Sequence, residues 1–181
     1  GVMPDADVGI VGGGLAGSMA AAMLERAGIS TVMADVHHPY PPDFRCEKLD
    51  DSQLRLLIKT GLAASILRAA TPMDELWIAR RGRLIEKRPN NQFGIAYGDL
   101  VNAARSAIPA SARFLHARIS AISTSPTCQT ITLSGGETLS VRLVVLATGL
   151  NNSLREALRI HREILSKCHS ISIGFDITPN D

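Results

Sequence analysis

A glycine-rich turn between two apolar runs, within residues 7–35, constrains the fold more than any other feature of the chain. The first run, residues 8–11, is rich in β-branched residues and leads into residues 12–17, Gly-Gly-Gly-Leu-Ala-Gly, which have the spacing G-x-G-x-x-G. Residues 17–27 have helical composition, and Gly28 follows where the end of a helix favours a positive φ. A second apolar run, residues 31–34, ends in Asp35. This order predicts a strand, a helix and a second strand parallel to the first.

The spacing of the motif gives each glycine a chemical role. Gly12 permits the tight turn, Gly14 lets the backbone approach a pyrophosphate, and Gly17 lets the helix lie close to the sheet. The N–H groups and positive dipole end of the helix then face the anion. Asp35, at the tip of the second strand, can accept hydrogen bonds from ribose hydroxyls and would repel a 2′-phosphate. The stretch therefore predicts a site for FAD or NAD rather than NADP, with an ordinary βαβ turn as the alternative.

Composition narrows the class of protein. The 181 residues, 45% hydrophobic and 20% charged with a net charge of +2, are typical of a soluble globular chain with one core. This net charge indicates neither nucleic acid nor an acidic membrane surface as a partner, and no apolar run is long enough for a membrane span. Cys46, Cys128 and Cys168 are far apart and odd in number, which favours free thiols in a cytoplasmic protein. The neighbouring His37 and His38 have no partners at metal-ligand spacing, so we predict no metal site.

Shorter patterns divide the middle of the chain. Residues 50–70 form a predicted helical excursion, with Asp50 as an N-cap and two helices, 53–60 and 62–70, separated by Gly61. Residues 76–88 predict a hairpin whose basic residues either form a solvated face or attract an anionic substrate or cofactor phosphate. A helix is expected over 99–108, and strands over 114–123, 130–133 and 139–146 would form a three-stranded meander.

A second signature closes this region at residues 141–149, Val-Arg-Leu-Val-Val-Leu-Ala-Thr-Gly. Residues 143–146 are continuously apolar, as in a strand that is buried on both faces. Such a strand can lie parallel to the first strand of the chain, and its glycine end would then reach the same edge of the sheet.

Together the glycine motif, Asp35, Arg45 and the strand ending in Gly149 resemble the FAD-binding half of two-dinucleotide-fold flavoproteins. The order of elements is most similar to the p-hydroxybenzoate hydroxylase group of flavin-dependent monooxygenases. The resemblance implies an α/β fold: a Rossmann-like, mostly parallel FAD-binding sheet with one helix layer and the meander on the other face. It also implies FAD as cofactor, NAD(P)H as a possible electron donor and a small organic substrate for oxygenation.

The resemblance also carries over a set of candidate cofactor-binding residues. Residues 12–17 correspond to the pyrophosphate turn, Asp35 to the ribose-binding acid, and residues 147–149 to the flavoprotein strand end. Arg45 corresponds to an arginine that reaches the flavin nucleotide, with a plain surface residue as the alternative, and Arg118 lies where backbone groups contact adenine. No catalytic residue is assigned. The full set is Gly12, Gly14, Leu15, Ala16, Gly17, Asp35, Val36, Arg45, Arg118, Ile119, Ala147, Thr148 and Gly149.

Departures from the group's pattern leave two further hypotheses open. Thr148-Gly149 stands where these monooxygenases usually carry Asp-Gly, Gly98 stands where an arginine or histidine is usual, and the later Gly-Asp motif is absent. The alternatives are an NAD-binding dehydrogenase domain and a non-catalytic, truncated flavoprotein remnant. The long loop after Asp35 and the meander argue against the dehydrogenase, while the absent Gly-Asp motif favours the remnant.

The domain organisation follows from the same resemblance. We expect a tag or leader over residues 1–6 and an FAD-binding domain over 7–168. Residues 169–181, whose apolar residues alternate, would begin a substrate-domain strand that is then cut short.

Overall fold

The computed structural model describes residues 3–180, which form two compact units. The first unit comprises the described residues up to Pro41 together with Ile108–Gly174, and the second comprises Pro42–Ala107 and the residues from Phe175 on. The strands are β1 (Ala6–Val11), β2 (Thr31–Asp35), β3 (Cys46–Leu49), β4 (Thr71–Arg80), β5 (Arg83–Ala96), β6 (Arg113–His116), β7 (Ile119–Thr124), β8 (Gln129–Leu133) and β9 (Thr138–Leu146). The helices are α1 (Leu15–Arg26), α2 (Asp51–Thr60), α3 (Ala63–Ala69), α4 (Tyr97–Ser106) and α5 (Ser153–Ala157).

The first unit is built on a six-stranded sheet in the order β6–β2–β1–β9–β8–β7. The first four strands in this order, β6, β2, β1 and β9, run parallel to one another. β8 and β7 continue the sheet in antiparallel pairs. Val8 and Ile10 of β1 pack with Ala21 of α1 and Met33 of β2 in one apolar cluster, so α1 covers this face. The predicted βαβ unit and the α/β, parallel-rich fold class are confirmed. Within residues 3–180, no helix is both long and apolar enough to cross a bilayer.

The meander consists of β7, β8 and β9, and it is continuous with the parallel sheet because β9 pairs with β1 from Ala6–Val141 to Val11–Leu146. Ile131 and Leu139 of the meander pack with Val11 and Val32. Val11 and Val32 face away from Val8 and Ile10, which pack with α1. The meander therefore covers the face opposite α1, as expected. The single strand predicted over 114–123 is wrong, because residues 117 and 118 separate β6, which pairs with β2, from β7, which pairs with β8.

The second unit contains the three-stranded antiparallel sheet β3–β5–β4 and the helices α2, α3 and α4. Asp50 caps α2 through a capping box with Gln53, and Gly61 ends the helix with φ +75°. The predicted helices over 53–60, 62–70 and 99–108 are present with slightly shifted ends. The hairpin predicted over 76–88 extends over Thr71–Ala96. β3, which the sequence did not suggest, pairs with residues 93–96 of β5, at the end away from the turn.

The two ends of the chain also differ from expectation. β1 begins at Ala6, within the stretch 1–6 that we expected to be a leader, and residues 1 and 2 lie outside the described residues. The strand expected over 169–177 is not formed, and Ile171, Ile173 and Phe175 are exposed. An alternating apolar pattern makes a strand only where a neighbouring strand pairs with its backbone, and the described residues offer this segment none. Between β9 and this segment lies the short helix α5.

Candidate functional site

The glycine turn after β1 is held between the ends of two neighbouring strands. The N–H group of Gly12 donates to the carbonyl of Ala34 in β2 over 2.9 Å, and the N–H group of Ala147, just after β9, donates to the carbonyl of Val11 over 2.8 Å. Gly12 has φ +104°, and a Cβ built on it would lie 2.2 Å from the carbonyl oxygen of Ala147. The turn therefore requires glycine at position 12 for both its backbone conformation and its contact with the end of β9.

The start of α1 packs closely against the same turn. A Cβ built on Gly17 would lie 1.9 Å from the carbonyl oxygen of Gly12, and the Ser18 hydroxyl, which is fully buried, donates to the Gly13 carbonyl over 3.2 Å. No side chain caps α1, its first turn has no acidic residue, and no acceptor in residues 3–180 bonds the N–H groups of Leu15, Ala16 and Gly17. These donors and the positive end of the helix dipole remain directed toward an anion.

Asp35 links the tip of β2 to the glycine turn. One carboxylate oxygen accepts a hydrogen bond from the Gly13 N–H group over 2.6 Å, and the other accepts one from the His37 N–H group over 2.7 Å. Each carboxylate oxygen has two lone pairs, so the carboxylate can accept further bonds from hydroxyl groups. The acid that the sequence assigns to a ribose thus lies directly beside the turn that it assigns to a pyrophosphate.

The other predicted residues at this sheet edge lie beyond Asp35. The carbonyl of Asp35 accepts from the N–H group of Ala117, and the His116 ring bonds the Val36 carbonyl over 2.9 Å. A carbonyl only accepts, so the Nε2 atom of His116 carries a proton. Arg118 and Ile119, the predicted adenine contacts, follow directly in the chain, and the Arg118 carbonyl accepts from both the backbone and the hydroxyl of Ser134.

The residues after β9 form a compact turn at the same edge. Gly149 has φ +62°, the Thr148 hydroxyl donates to the Asn151 carbonyl over 2.8 Å, and the Arg155 guanidinium donates to the carbonyls of Gly149 and Asn151. The first unit thus brings together twelve of the thirteen candidate residues, at the carboxyl ends of β1, β2, β6 and β9. Such an edge is where open parallel sheets bind nucleotides.

Comparison with known families identifies the nucleotide that this edge binds. The family model described as FAD binding domain matches residues 5–180. The chain belongs to this FAD-binding family. Its cofactor is FAD, and the expectation of an FAD-binding domain is confirmed. The NAD-binding dehydrogenase hypothesis is correspondingly disfavoured.

Individual relatives of the FAD-binding chain are longer proteins. The ubiquinone hydroxylase UbiL of Rhodospirillum rubrum is 31% identical over 170 residues, which cover 86% of this chain and 40% of the relative. The crystal structure of p-nitrophenol 4-monooxygenase PnpA from Pseudomonas putida DLL-E4 superposes with a TM-score of 0.73 at 19% identity, covering 84% of this chain and 43% of that one. A mutant of PqsL from P. aeruginosa gives a TM-score of 0.71 at 25% identity, covering 87% and 47%. The chain thus spans about 40% of the length of the curated relative that it matches.

FAD fits the donor set of this site. The pyrophosphate is anionic, and the free N–H groups at the start of α1 supply hydrogen-bond donors without a competing carboxylate in the first turn. The close contacts at positions 12 and 17 leave no room for a Cβ, because the turn packs directly on the end of β9 and on the start of α1. Among residues 3–180, no three histidine, cysteine or carboxylate side chains converge as metal ligands, and the three cysteines are free thiols.

Arg45 belongs to the second unit of the FAD-binding chain. Its guanidinium forms an ion pair with Asp43 at 2.5 Å and lies 4.1 Å from the centre of the Tyr97 ring. The hydrogen bonds from Arg45 hold the pKa of the Asp43 carboxyl below its ordinary value. Asp43 and Tyr97 therefore both contact the Arg45 guanidinium, one through an ion pair and the other through its ring face.

Two residues that the sequence analysis did not select shape the site. Arg155 closes the turn after β9, and its Nε atom is buried without a partner. His116 connects β6 to the chain that follows Asp35. Neither stands in a glycine motif or an apolar run, and both act through contacts with backbone carbonyls. Only the position of Arg155 six residues after Gly149, close to the strand-end motif, could have drawn attention to it.

Proposed function

We propose that this chain forms the nucleotide-binding part of a flavin-dependent monooxygenase, in which NAD(P)H supplies electrons and an organic substrate receives one atom of oxygen. The observation that carries the proposal is the 2.6 Å contact of the Asp35 carboxylate with the Gly13 N–H group. It holds a ribose acceptor against a phosphate turn, as an adenosine diphosphate group requires. The names of the relatives, a ubiquinone hydroxylase and a p-nitrophenol monooxygenase, support oxygenation.

The residues have distinct roles in this proposal. The N–H groups of Leu15 and Ala16 bind the pyrophosphate, Asp35 and Val36 hold the ribose, and the backbone at Arg118 and Ile119 contacts adenine. Residues 147–149 would hold the part of the cofactor nearer the flavin, and the role of Arg45, which belongs to the second unit, stays a prediction from the resemblance. FAD, when bound, supplies the redox chemistry of the reaction. The chain's own contribution is to bind and orient the cofactor, so no side chain need act as a nucleophile.

The substrate class, cellular location and domain division belong to the same proposal. The two named substrates of the relatives, p-nitrophenol and ubiquinone, support a compound with an aromatic or quinone ring. Composition supports a cytoplasmic location. Residues 7–168 act as the FAD-binding domain, and the substrate-binding part lies in sequence beyond the region that this chain shares with its relatives.

A non-catalytic flavoprotein remnant is the second candidate. Thr148 stands in place of the acid that the resemblance leads us to expect, and its hydroxyl is used within its own turn. A chain of this kind would keep the fold but would either hold FAD poorly or bind it without reacting with NAD(P)H. Cofactor retention and flavin reduction therefore separate the two candidates.

The first test is an absorption spectrum of the purified chain, recorded after mixing with excess FAD and desalting. Retained flavin bands are expected for the native chain and for the control Gly135→Ala, because Gly135 has no atom within 4 Å of an added Cβ. Gly14→Val and Asp35→Ala should lose the bands. Loss of flavin from the native chain, or equal retention by all four proteins, would contradict the assignment of the site.

The second test addresses the monooxygenase activity. The FAD-loaded protein, in the full length that corresponds to its relatives, is mixed with NADH or NADPH under anaerobic conditions, and flavin reduction is followed by the loss of visible absorbance. Bleaching, followed by oxygen uptake with a ring substrate, supports the proposal. Tight FAD binding with no reduction by either donor would favour the non-catalytic remnant.

A further inference from the structure

The tip of the β4–β5 hairpin combines positive charge with exposed apolar side chains. Trp77, Leu84 and Ile85 are 60%, 50% and 61% exposed. Between positions 77 and 88 the chain carries one carboxylate, that of Glu86, and five cationic side chains, those of Arg80, Arg81, Arg83, Lys87 and Arg88. The whole chain has a net charge of +2, so this short segment carries more positive charge than the whole protein does. The mild overall charge therefore conceals a strongly basic local surface.

The arginines at the tip have no structural role within the described chain. All three are exposed, and no carboxylate or hydrogen-bond acceptor in residues 3–180 pairs with the guanidinium groups of Arg80, Arg81 or Arg83. Arg80 and Arg83 are opposite each other in the strand register, which brings like charges together. Like charges in such a pair destabilise a hairpin. Their presence therefore requires an explanation outside the folding of the hairpin.

The backbone of the turn also disfavours an arginine. Arg81 and Gly82 have φ values of +49° and +73°, the signs of a type I′ turn, which favours Asn, Asp or Gly at both positions. An arginine in the left-handed region is unfavourable, and non-glycine residues in this conformation occur preferentially at functional sites. Arg81 is thus retained where the backbone favours other residues, and its charged group projects from the end of the hairpin.

The single tryptophan lies on the same hairpin and is kept in a defined orientation. Trp77 is opposite Lys87 in the register, and the Lys87 ammonium lies 3.8 Å from the centre of the indole ring. The indole N–H group donates to Glu75. On the same register, Ala79 pairs with Leu84 after a bulge that makes Ile85 the extra residue of β5. Exposed apolar side chains and cationic side chains therefore lie next to each other on this hairpin.

We propose that this hairpin tip binds the surface of an anionic lipid bilayer, with the arginines on the lipid phosphates and Trp77, Leu84 and Ile85 in the interfacial layer. Tryptophan and aliphatic side chains flanked by Lys and Arg are the composition that peripheral membrane segments use. A nucleic acid would use the arginines but would leave the aliphatic residues exposed. A protein partner fits less well: arginine and tryptophan are enriched in protein interfaces, but lysine, which here lies over the Trp77 ring, is depleted from them.

The test uses the fact that Trp77 is the only tryptophan in the chain. The FAD-loaded chain is mixed with vesicles of phosphatidylcholine alone or of phosphatidylcholine with phosphatidylglycerol, and bound protein is measured by sedimentation. Binding is expected only to the anionic vesicles, with a shift of the tryptophan emission to shorter wavelength and quenching by brominated lipids. Binding should fall as ionic strength rises from about 0.1 M to about 1 M, where the screening length drops from about 10 Å to about 3 Å.

Variants distinguish vesicle binding by the hairpin tip from attraction due to the overall charge of the protein. Arg80→Ser with Arg81→Asn and Arg83→Ser should weaken binding by about 100-fold, since each cation near an anionic surface contributes about fivefold. The matched control, Lys59→Ser with Arg162→Ser and Lys167→Ser, removes the same charge from exposed positions outside the hairpin and should change binding little. The pair Leu84→Ser and Ile85→Ser should remove the emission shift and keep part of the electrostatic attraction.

Several results would overturn the proposal. These are equal binding to both vesicle types, an unchanged tryptophan emission on bound vesicles, or equal losses in the tip and control variants. Hairpin-dependent binding to single-stranded DNA without binding to vesicles would assign the surface to nucleic acid instead. If circular dichroism shows that the arginine variant is unfolded, the Leu84→Ser and Ile85→Ser pair and the native chain's emission and salt dependence decide the question.

Discussion

Replacement of Gly17 by alanine tests the packing of α1 against the nucleotide turn. Inside an ordinary helix this change is favourable, because alanine exceeds glycine in helix propensity by about 1 kcal/mol. Here the added Cβ would lie 1.9 Å from the carbonyl oxygen of Gly12 and 3.2 Å from a methyl carbon of Ile10. A comfortable carbon–oxygen separation is about 3.5 Å. The start of the helix must therefore move by more than about 1 Å away from the turn.

The clash involves backbone, so a side-chain rotation cannot relieve it. Overpacking of this kind costs about 1–3 kcal/mol or more, and the displacement also disturbs the buried bond from Ser18 to the Gly13 carbonyl. Because the clash is with backbone, the upper end of this range applies, and subtraction of about 1 kcal/mol for helix propensity leaves an expected loss of about 2 kcal/mol of unfolding free energy for Gly17→Ala. The same displacement moves the donors of Leu15 and Ala16, so FAD affinity should fall as well.

Urea unfolding of the two proteins, followed by far-ultraviolet circular dichroism, measures the effect. Gly135→Ala is the matched control, because its added Cβ meets no atom within 4 Å, and its unfolding free energy should change by less than about 0.5 kcal/mol. A Gly17→Ala protein that is more stable than the native chain, by the amount that helix propensity alone provides, would refute the close packing of α1 on the turn.

Three further changes test neighbouring contacts. Asp35→Asn directs an amide NH₂ group toward one of the two backbone donors, the N–H group of Gly13 or that of His37. It should cost about 1.5–3 kcal/mol of unfolding free energy in urea and weaken FAD binding; an unchanged midpoint would contradict the 2.6 Å contact. Arg155→Ala leaves two carbonyls of the turn after β9 without their donor and should lower stability by about 1–3 kcal/mol, with flavin retention as a second measurement. For Glu25, burial raises the pKa, but the hydrogen bonds that it accepts, including those from Thr31, outweigh burial and lower the pKa below its ordinary value. Its stabilising effect is therefore complete above the ordinary pKa and is lost as pH falls through the folded-state value. The difference in thermal stability between native chain and Glu25→Gln should be present at pH 6 and should shrink below about pH 4; a difference independent of pH would contradict this.

The nucleotide edge was predictable because its signals are local. The glycine spacing, the apolar runs and the acid after β2 all lie within residues 7–35, and each specifies a backbone conformation or a neighbour close in sequence. The strand ending at residue 146 was recognisable from its continuous apolar run, and it pairs with β1 as expected. Its burial on both faces is not borne out, because Leu143 is 58% exposed. These patterns were sufficient for the fold class and for the position of the candidate site residues.

The failures involve elements whose existence depends on distant partners. β3 is four residues long and shows no clear alternation, and it forms because it pairs with β5 about 50 residues later. The break between β6 and β7 follows from the bonds of Ala117 to Asp35 and of Arg118 to Ser134, which no local pattern indicates. Conversely, residues 169–177 have a clear strand pattern and form no strand, because pairing rather than pattern determines whether a strand exists.

The order of the strands in the first unit also has a consequence for synthesis on the ribosome. β1 lies in the middle of the sheet, but its partner on one side, β9, follows far along the chain: Ala6 pairs with Val141. At about 5–20 residues per second, one edge of β1 stays unpaired for roughly 7 to 27 seconds after it emerges. A nascent chain that stalls before β9 would expose this apolar edge, so we expect such chains to require a chaperone or to aggregate.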